Sequence, residues 1–384
     1  MTPVFTEAEL ERLLERPVRR LLTSNDRASF AGRRILVTGA GGSVGSELAR
    51  QIATCGPAHL TLVDQSELNL FHIEREIMAL APGLAVDAVM ADITRTTAMR
   101  QAFDIARPDI VYHAAAYKHV TMVERAVCAA AMVNVLGSMV VADAARDAGA
   151  RLVLISSDKA ASPRSVMGAT KRLAELLVLA RATSRFRPIV VRFGNVLGSS
   201  GSVLTLMREQ IRRGTPLTIT NPDATRYFMT AGEAVSLVMK ADVLATRAET
   251  YWLDMGEPVR IGALADRLLA LEGAAGYAPV PTEVIGLRAG EKLREELTTQ
   301  GLRMCQTRHR RIWVARQAPI DRAQSERALR QLRRRVAAGD AEGVLSVIAA
   351  AVPEGEISQN AWTVARAQSA RIAASQKSQS ARVA

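Results

Sequence analysis

The sequence predicts an α/β fold in which a doubly wound parallel sheet carries a smaller C-terminal lobe. Between residues 33 and 193, short β-rich runs alternate with stretches of helical pattern, which is the layout of successive βαβ units. Those runs are apolar throughout, as strands covered on both faces are. The first of them opens into a glycine-rich turn and a helix, VTGAGGSVGSELARQI, so the carboxyl edge of the sheet is the expected ligand side.

In chain order, residues 1–33 form an arm. A helix is expected in TEAELERLLERPVRRLL, with an apolar face at Leu10, Leu13, Leu14, Val18 and Leu21 that packs on the body or on a partner subunit. RRILVTGA, HLTLVD, LAVDAVMAD, PDIVYHAAA, RLVLISS and RPIVVRF are the six strands of a sheet domain over residues 34–194. After residue 195 the alternation loosens into Gly, Ser and Pro turns, with helices expected at 202–213, 232–246 and 260–272. Residues 195–318 read mainly as the lobe, built over the carboxyl edge, with segments in 232–272 returning to the sheet domain. Helices are expected at 319–353. From 354 to 384 the chain turns to Ala, Ser, Gln and Arg with little apolar periodicity and reads as a disordered tail.

The 384 residues are 48% hydrophobic and 23% charged, an ordinary globular balance. Fifty Lys and Arg against 38 Asp and Glu leave a charge of +12, which suits anionic ligands of several kinds without choosing among them. Aromatics make up only 4% and none interleave with a basic run, so no nucleic-acid platform is expected. Cys55, Cys128 and Cys305 lack metal-ligand spacing, so neither a metal nor a disulfide framework is expected. Glu7, Glu9 and Glu11 make the N-terminus unlike a signal peptide. The uncharged run Ala126–Ala142, broken by Asn134, Gly137 and Ser138, reads as a buried helix, and no integral membrane segment is expected. A cytoplasmic location follows from these readings.

Gly39, Gly42 and Gly45 give a GxxGxxG spacing that lets backbone approach a pyrophosphate at a helix N-terminus. Asp64, nineteen residues after Gly45, ends the second strand where a carboxylate accepts both adenosine ribose hydroxyls and repels a 2′-phosphate. This favours NAD over NADP; the alternative for Asp64 is a strand-end cap. Asp92 and Ile93 close the third strand near an adenine, and Ala114, Ala115 and Ala116 end the fourth with room for a nicotinamide ribose. Ser157, Asp158 and Lys159 end the fifth. Met167 and Lys171 share one face of the following helix, with methionine where a YxxxK dehydrogenase pair has its tyrosine.

VTGAGGSVGSELARQI, AAYKHVTMVE, SSDKA, VMGATKR, VRFGNVLGSSGSV, TRYFMT, LDMGEPVRI and GLRAGEKLREEL together resemble the nucleotide-sugar 4,6-dehydratases of the extended short-chain dehydrogenase/reductase superfamily. The match is to the UDP-N-acetylglucosamine 4,6-dehydratases of bacterial polysaccharide and glycan biosynthesis, and runs from about residue 10 to residue 300. It implies a Rossmann sheet domain with a nucleotide-sugar-binding lobe. In that family the C5-inverting branch keeps tyrosine at the position of Met167. The configuration-retaining branch has methionine there with the same SDKA and VMGATKR phrasing, and it is this branch that the chain resembles. Many retaining members carry membrane helices before the dehydratase region, and LLERPV resembles the segment that follows them.

The resemblance implies an internal redox elimination: NAD oxidises C4 of the sugar, water leaves across C5 and C6, and hydride returns to C6. Asp158 would be the acid for the C6 hydroxyl and Lys159 the C5 base. A free lysine is too basic for that task, and desolvation, the cationic nicotinamide and Lys171 are each expected to disfavour its charged form. The C4 proton acceptor stays open: Ser157 or an ordered water would pass the proton toward Asp158 or Lys171, while Met167 shapes the pocket and Lys171 chiefly holds the nicotinamide ribose. Cofactor contacts are expected at Gly39, Gly42, Ser43, Val44, Gly45, Asp64, Gln65, Asp92, Ile93, Ala114, Ala115, Ala116, Lys171 and Val196.

For a UDP-sugar, Arg226 and Arg288 fit positions near the diphosphate, where a guanidinium fork matches phosphate oxygens. Glu291 is placed at the uridine ribose, Asn195 and Ser200 at phosphate or sugar, Thr220 near uracil, and Lys118 and His119 at the hexose. His119 reads equally as a hydrogen-bonded loop histidine. A homo-oligomer is expected to pair through the apolar helices at 120–145 and 168–183. The rival readings are a C5-inverting dehydratase, a UDP-sugar C4 epimerase and an NAD-binding sensor without chemistry.

Overall fold

The computed structural model describes residues 4–19, 21–296, 302–316 and 321–383. Six parallel strands follow the expected runs: β1 (Arg34–Thr38), β2 (His59–Asp64), β3 (Val86–Met90), β4 (Ile110–His113), β5 (Arg151–Ile155) and β6 (Ile189–Arg192). They lie in the order β3-β2-β1-β4-β5-β6, with Thr250–Leu253 added parallel to β6. Two antiparallel strands, Ile312–Arg316 and then Arg303–Gln306, complete a nine-stranded sheet. Residues 303–306 and 312–316 thus belong to the sheet rather than to the lobe, because IWVA pairs with TYWL and sets Trp313 opposite Trp252.

Alternate strand residues feed two cores, which is why the runs are predominantly apolar rather than alternating. Ile35, Val37, Leu60, Leu62 and Tyr112 pack with Leu48, Ile52 and Leu237 on one face. Leu36, Val63, Val111, Leu152 and Leu154 pack with Met99, Val141 and Leu173 on the other.

The arm helix is shorter than its pattern. It spans Glu7–Leu14, Glu15 turns left-handed at φ 52°, and Pro17 disfavours helical backbone at Arg16, so Val18 and Leu21 lie beyond it. Phe5, Leu13 and Leu14 are buried in the lobe core with Leu204, Met207, Leu264 and Leu268. Arg16 locks the arm to the buried Glu233 at 2.6 Å. The helix Ile261–Ala274 supplies this same core. Within 232–272, therefore, the segments that rejoin the sheet domain are Ala231–Leu244 and Thr250–Leu253.

Helices Arg322–Ala337 and Ala341–Ala351 lie over the sheet domain. Leu329, Leu332, Leu345 and Ile348 are buried in one cluster with Val135, Met139, Leu173 and Leu177. Part of the apolar surface of the helices at 120–145 and 168–183 is thus buried by this chain's own C-terminal helices, while Met122 and Met132 stay exposed. The tail expected to be disordered is a helix, Gln359–Val383, with Ala361 and Ala365 fully buried. Alanine, glutamine and arginine favour helix, and two alanines suffice for close packing, which leaves almost no apolar periodicity to read. By length and composition Val127–Asp147 could cross a membrane, but 61% of its 18-residue apolar stretch is buried inside the fold.

Candidate active site

A cleft of about 1250 Å³ opens where the carboxyl ends of the central strands meet the lobe. On its sheet side lies the glycine loop. Gly39 has φ +67°, and a Cβ there would stand 2.6 Å from the Ala115 nitrogen. A Cβ on Gly45 would stand 1.9 Å from the Gly39 carbonyl oxygen. Loop, helix and the Ala114–Ala116 segment therefore touch backbone to backbone, and Gly42 caps the helix Ser43–Ala53. A phosphate-sized anion fits such a helix start.

Asp64 accepts from the Gly41 and Ser66 nitrogens, each at 2.9 Å, so it does cap its own turn and also fixes the glycine loop. Gln65 is exposed. Asp92 accepts from Thr94 N at 2.8 Å, and Ile93 is buried against Gly137. None of these four, nor Ala115 or Asp158, lines the cleft. Gly39, Gly42, Ser43, Val44, Gly45, Ala114, Ala116 and Val196 do, together with Asn69, which sequence reasoning missed.

The chemistry-bearing segment leaves β5 as Ser156–Ser157 and turns through Asp158–Ala160. Asp158 folds back under this turn and is 1% exposed. Its Oδ1 accepts from Ser157 Oγ at 2.8 Å, Lys159 N at 2.8 Å and Lys159 Nζ at 3.1 Å. Its buried Oδ2 has no hydrogen-bond partner among the described residues. Ser157 and Lys159 face the cleft and Asp158 stands behind them. The helix Val166–Leu179 brings Met167, 4% exposed, and Lys171 to the same cleft. A Cβ on Gly168 would meet the Lys159 carbonyl oxygen at 2.3 Å, so glycine after Met167 lets this helix press onto the turn.

The two lysines stand in opposite electrostatic settings, which corrects one expectation. Burial alone would disfavour the Lys159 ammonium, but Asp158 and Glu295, the latter at 3.3 Å, outweigh it and push its pKa above the ordinary value. It is Lys171 whose pKa falls, to about 8, because burial outweighs the nearby Glu175 carboxylate. Lys171 Nζ donates to the Ile155 carbonyl at 2.5 Å.

On the lobe side, Ser200 N donates to Ser43 Oγ at 3.0 Å and ties the GSSGS loop to the glycine loop. Lys118 Nζ donates to Ser199 Oγ at 3.3 Å, and burial lowers its pKa. His119 lies under Gly201, whose Cβ would meet its ring at 2.6 Å, and burial with Lys118 lowers its pKa. Asn195 Nδ2 donates to the Tyr227 carbonyl at 3.2 Å, while its Oδ1 accepts from Lys159 Nζ at 3.5 Å. Arg226 donates to the Thr225 and Leu293 carbonyls. Arg288 is exposed, and its backbone nitrogen is capped by Glu291 at 3.1 Å. Thr220, Arg226, Arg288 and Glu291 all line the cleft.

Several supporting residues carried no readable signal. Asn134, inside the π-helical turn Ala131–Gly137, accepts from Tyr117 N at 2.8 Å and donates to Thr170 Oγ1 at 3.1 Å. It thereby fixes the loop carrying Lys118 and His119 relative to the Met167 helix. Glu124 accepts from Val166 N at 2.7 Å and from Ser358 Oγ at 3.0 Å. Fully buried Glu175 accepts from Ser156 Oγ at 2.5 Å and from Arg192 Nε at 2.7 Å.

A glycine loop at a helix start, a lobe closing the carboxyl edge, and serine, lysine and methionine converging between them define a Rossmann-type α/β protein with a dinucleotide-shaped cleft. The chain belongs to the polysaccharide biosynthesis protein family, whose description matches residues 35–317. It is 42% identical over 294 residues to the probable polysaccharide biosynthesis protein EpsC of Bacillus subtilis, a match covering 76% of this chain and 49% of that protein. The chain thus spans about half the length of this curated relative. Its fold is similar to the X-ray structure of Pen from Bacillus thuringiensis, with TM-score 0.68 and 27% identity over 79% of this chain and 98% of that one. DesIV of Streptomyces venezuelae, a dTDP-glucose 4,6-dehydratase crystallised with NAD and TYD, shares the fold at TM-score 0.59 and 21% identity over 69% and 88% of the two chains.

Proposed function

We propose that this chain is an NAD-dependent nucleotide-sugar 4,6-dehydratase that acts on UDP-N-acetylglucosamine and retains the C5 configuration. The observation that carries the reading is that Ser157 and Lys159, with Asp158 buried behind them and bonded to both, share one cleft with Met167, Lys171 and the glycine loop. The glycine contacts fit NAD, and DesIV, of like fold, was crystallised with it. Bound NAD supplies the hydride acceptor for C4 and the donor for C6.

The chain's own residues move the protons. Ser157 Oγ lines the cleft and already donates to Asp158. It can receive the C4 hydroxyl proton while passing its own to Asp158. That proton then leaves with the C6 hydroxyl as water, so Asp158 acts through Ser157 from its buried place. Lys159, once its ammonium has released a proton to solvent through the cleft that it lines, takes the C5 proton on its free amine, exchanges it with solvent and returns a solvent-derived proton to the same face, which is what retention requires. Protonation of Asp158 also removes one of the two carboxylates that hold Lys159 charged, so C4 oxidation favours the basic form of the C5 base. Lys171, anchored to Ile155, holds the nicotinamide ribose, and Met167 fills the place of a phenol that this proton route does not use.

The test is incubation with UDP-N-acetylglucosamine in heavy water, followed by NMR. A 4-keto-6-deoxy product with deuterium at C5 and unchanged configuration supports the reading. Inverted C5 assigns the chain to the other branch, exchange of the C4 configuration alone makes it an epimerase, and no turnover of several UDP-sugars leaves a binding protein.

A further inference from the structure

Two cations of the cleft share one buried carboxylate that the reaction above does not use. Glu295 Oε1 lies 3.3 Å from Lys159 Nζ and 3.5 Å from Arg226 Nε, and its side chain is 4% exposed. The segment that carries it is pinned in place. Thr225 N donates to the Leu293 carbonyl at 2.9 Å, Thr225 bridges to Arg294, and Arg226 Nη1 reaches the Leu293 carbonyl at 3.3 Å. Arg226 is itself 13% exposed, so this is no solvated surface pair.

We infer that Glu295 is a positioning residue shared by the diphosphate site and the C5 base: it holds Arg226 beside Lys159, and an entering diphosphate competes with it for that guanidinium. This deepens the dehydratase reading and rests on it for the roles of Lys159 and Arg226. The physical argument is one of charge. A guanidinium prefers the forked pairing that phosphate oxygens offer, and a carboxylate fixed on the same guanidinium repels the incoming anion. The groups facing Lys159 are Asp158 on its own turn, Glu295 and Arg226 from the lobe, and Asn195 after β6. Seating a diphosphate therefore rearranges the charge around the base, and by linkage the state of the base alters diphosphate affinity.

UDP should be titrated calorimetrically into the NAD-loaded chain and its Glu295→Gln variant. Because the variant keeps shape and loses charge, UDP should bind about tenfold more tightly; unchanged or weaker binding overturns the inference. In the same variant the acid limb of C5 proton exchange should move about one pH unit lower, since the Lys159 ammonium has lost a counter-charge. Glu295→Asp should return both readouts toward the wild type, and a limb that stays in place refutes the assignment. If the wild type binds UDP yet exchanges no C5 proton, the dehydratase reading fails, and the UDP titration alone decides the role of Glu295.

Discussion

Lys159 and Lys171 differ in what surrounds them rather than in what they are, and the roles proposed for them rest on this difference. Carboxylates face Lys159 and a backbone carbonyl faces Lys171. Replacing Lys159 by alanine should slow C5 proton exchange by about 10²- to 10⁴-fold, the usual worth of a positioned base; exchange at the normal rate in heavy water removes Lys159 from that role. A second residue-scale prediction concerns His113, buried at the end of β4. Its Nδ1 lies 2.6 Å from Thr38 Oγ1 and its Nε2 lies 2.9 Å from Ser138 Oγ. Burial, with Lys171 nearby, lowers its pKa to about 3. The folded value lies below the unfolded one, so the stability it confers is complete above about pH 6.5 and is lost as pH falls toward 3, by up to about 1.4 kcal/mol per unit. In urea unfolding at pH 7 and pH 5, His113→Asn should show a smaller acid loss than the wild type.

At the scale of elements, the contact between the Met167 helix and the Asp158–Ala160 turn leaves no room for a Cβ at Gly168. Gly168→Ala should force the helix off the Lys159 carbonyl, costing about 1–3 kcal/mol of stability and lowering turnover at least about tenfold through misplacement. Thermal melts and initial rates would measure both, and a variant equal to wild type in each would mean that the helix has slack. This level also marks how far the sequence could be read. The six parallel strands were legible because burial on both faces leaves unbroken apolar runs. The glycine loop and Ser157–Lys159 were legible because their parts are neighbours in the chain. Asn134, Glu124 and Glu295 were not, since each is defined by partners distant in sequence: Tyr117 and Thr170, Ser358, and Lys159 with Arg226. Asp158 was legible as chemistry but not as a buried group, because a single turn decides which way its carboxylate points.

For the whole molecule, the C-terminal helices are part of the sheet domain's core rather than an appendage. Leu345, fully buried in that cluster, should cost about 2–5 kcal/mol when replaced by alanine, measurable by chemical denaturation. A cost near zero would mean that the helices sit loosely on the domain. The same helices bury Val135, Met139, Leu173 and Leu177, part of the apolar surface read as a subunit contact. Their last connector also reaches the site: Glu354 pairs with Arg172 at 2.7 Å, and Ser358 donates to Glu124, the carboxylate that accepts from the first nitrogen of the Met167 helix. That tie has a consequence for the order of events during synthesis. The turn and its lysines are made nearly two hundred residues before Ser358, and the glycine loop more than three hundred, so the nascent chain carries its reactive groups long before their last anchor is made. Ser358→Ala in the full chain should keep the fold yet lower C5 exchange, because Glu124 loses the hydroxyl that holds it at the start of the Met167 helix; an unchanged rate would mean that the connector does not steady the site.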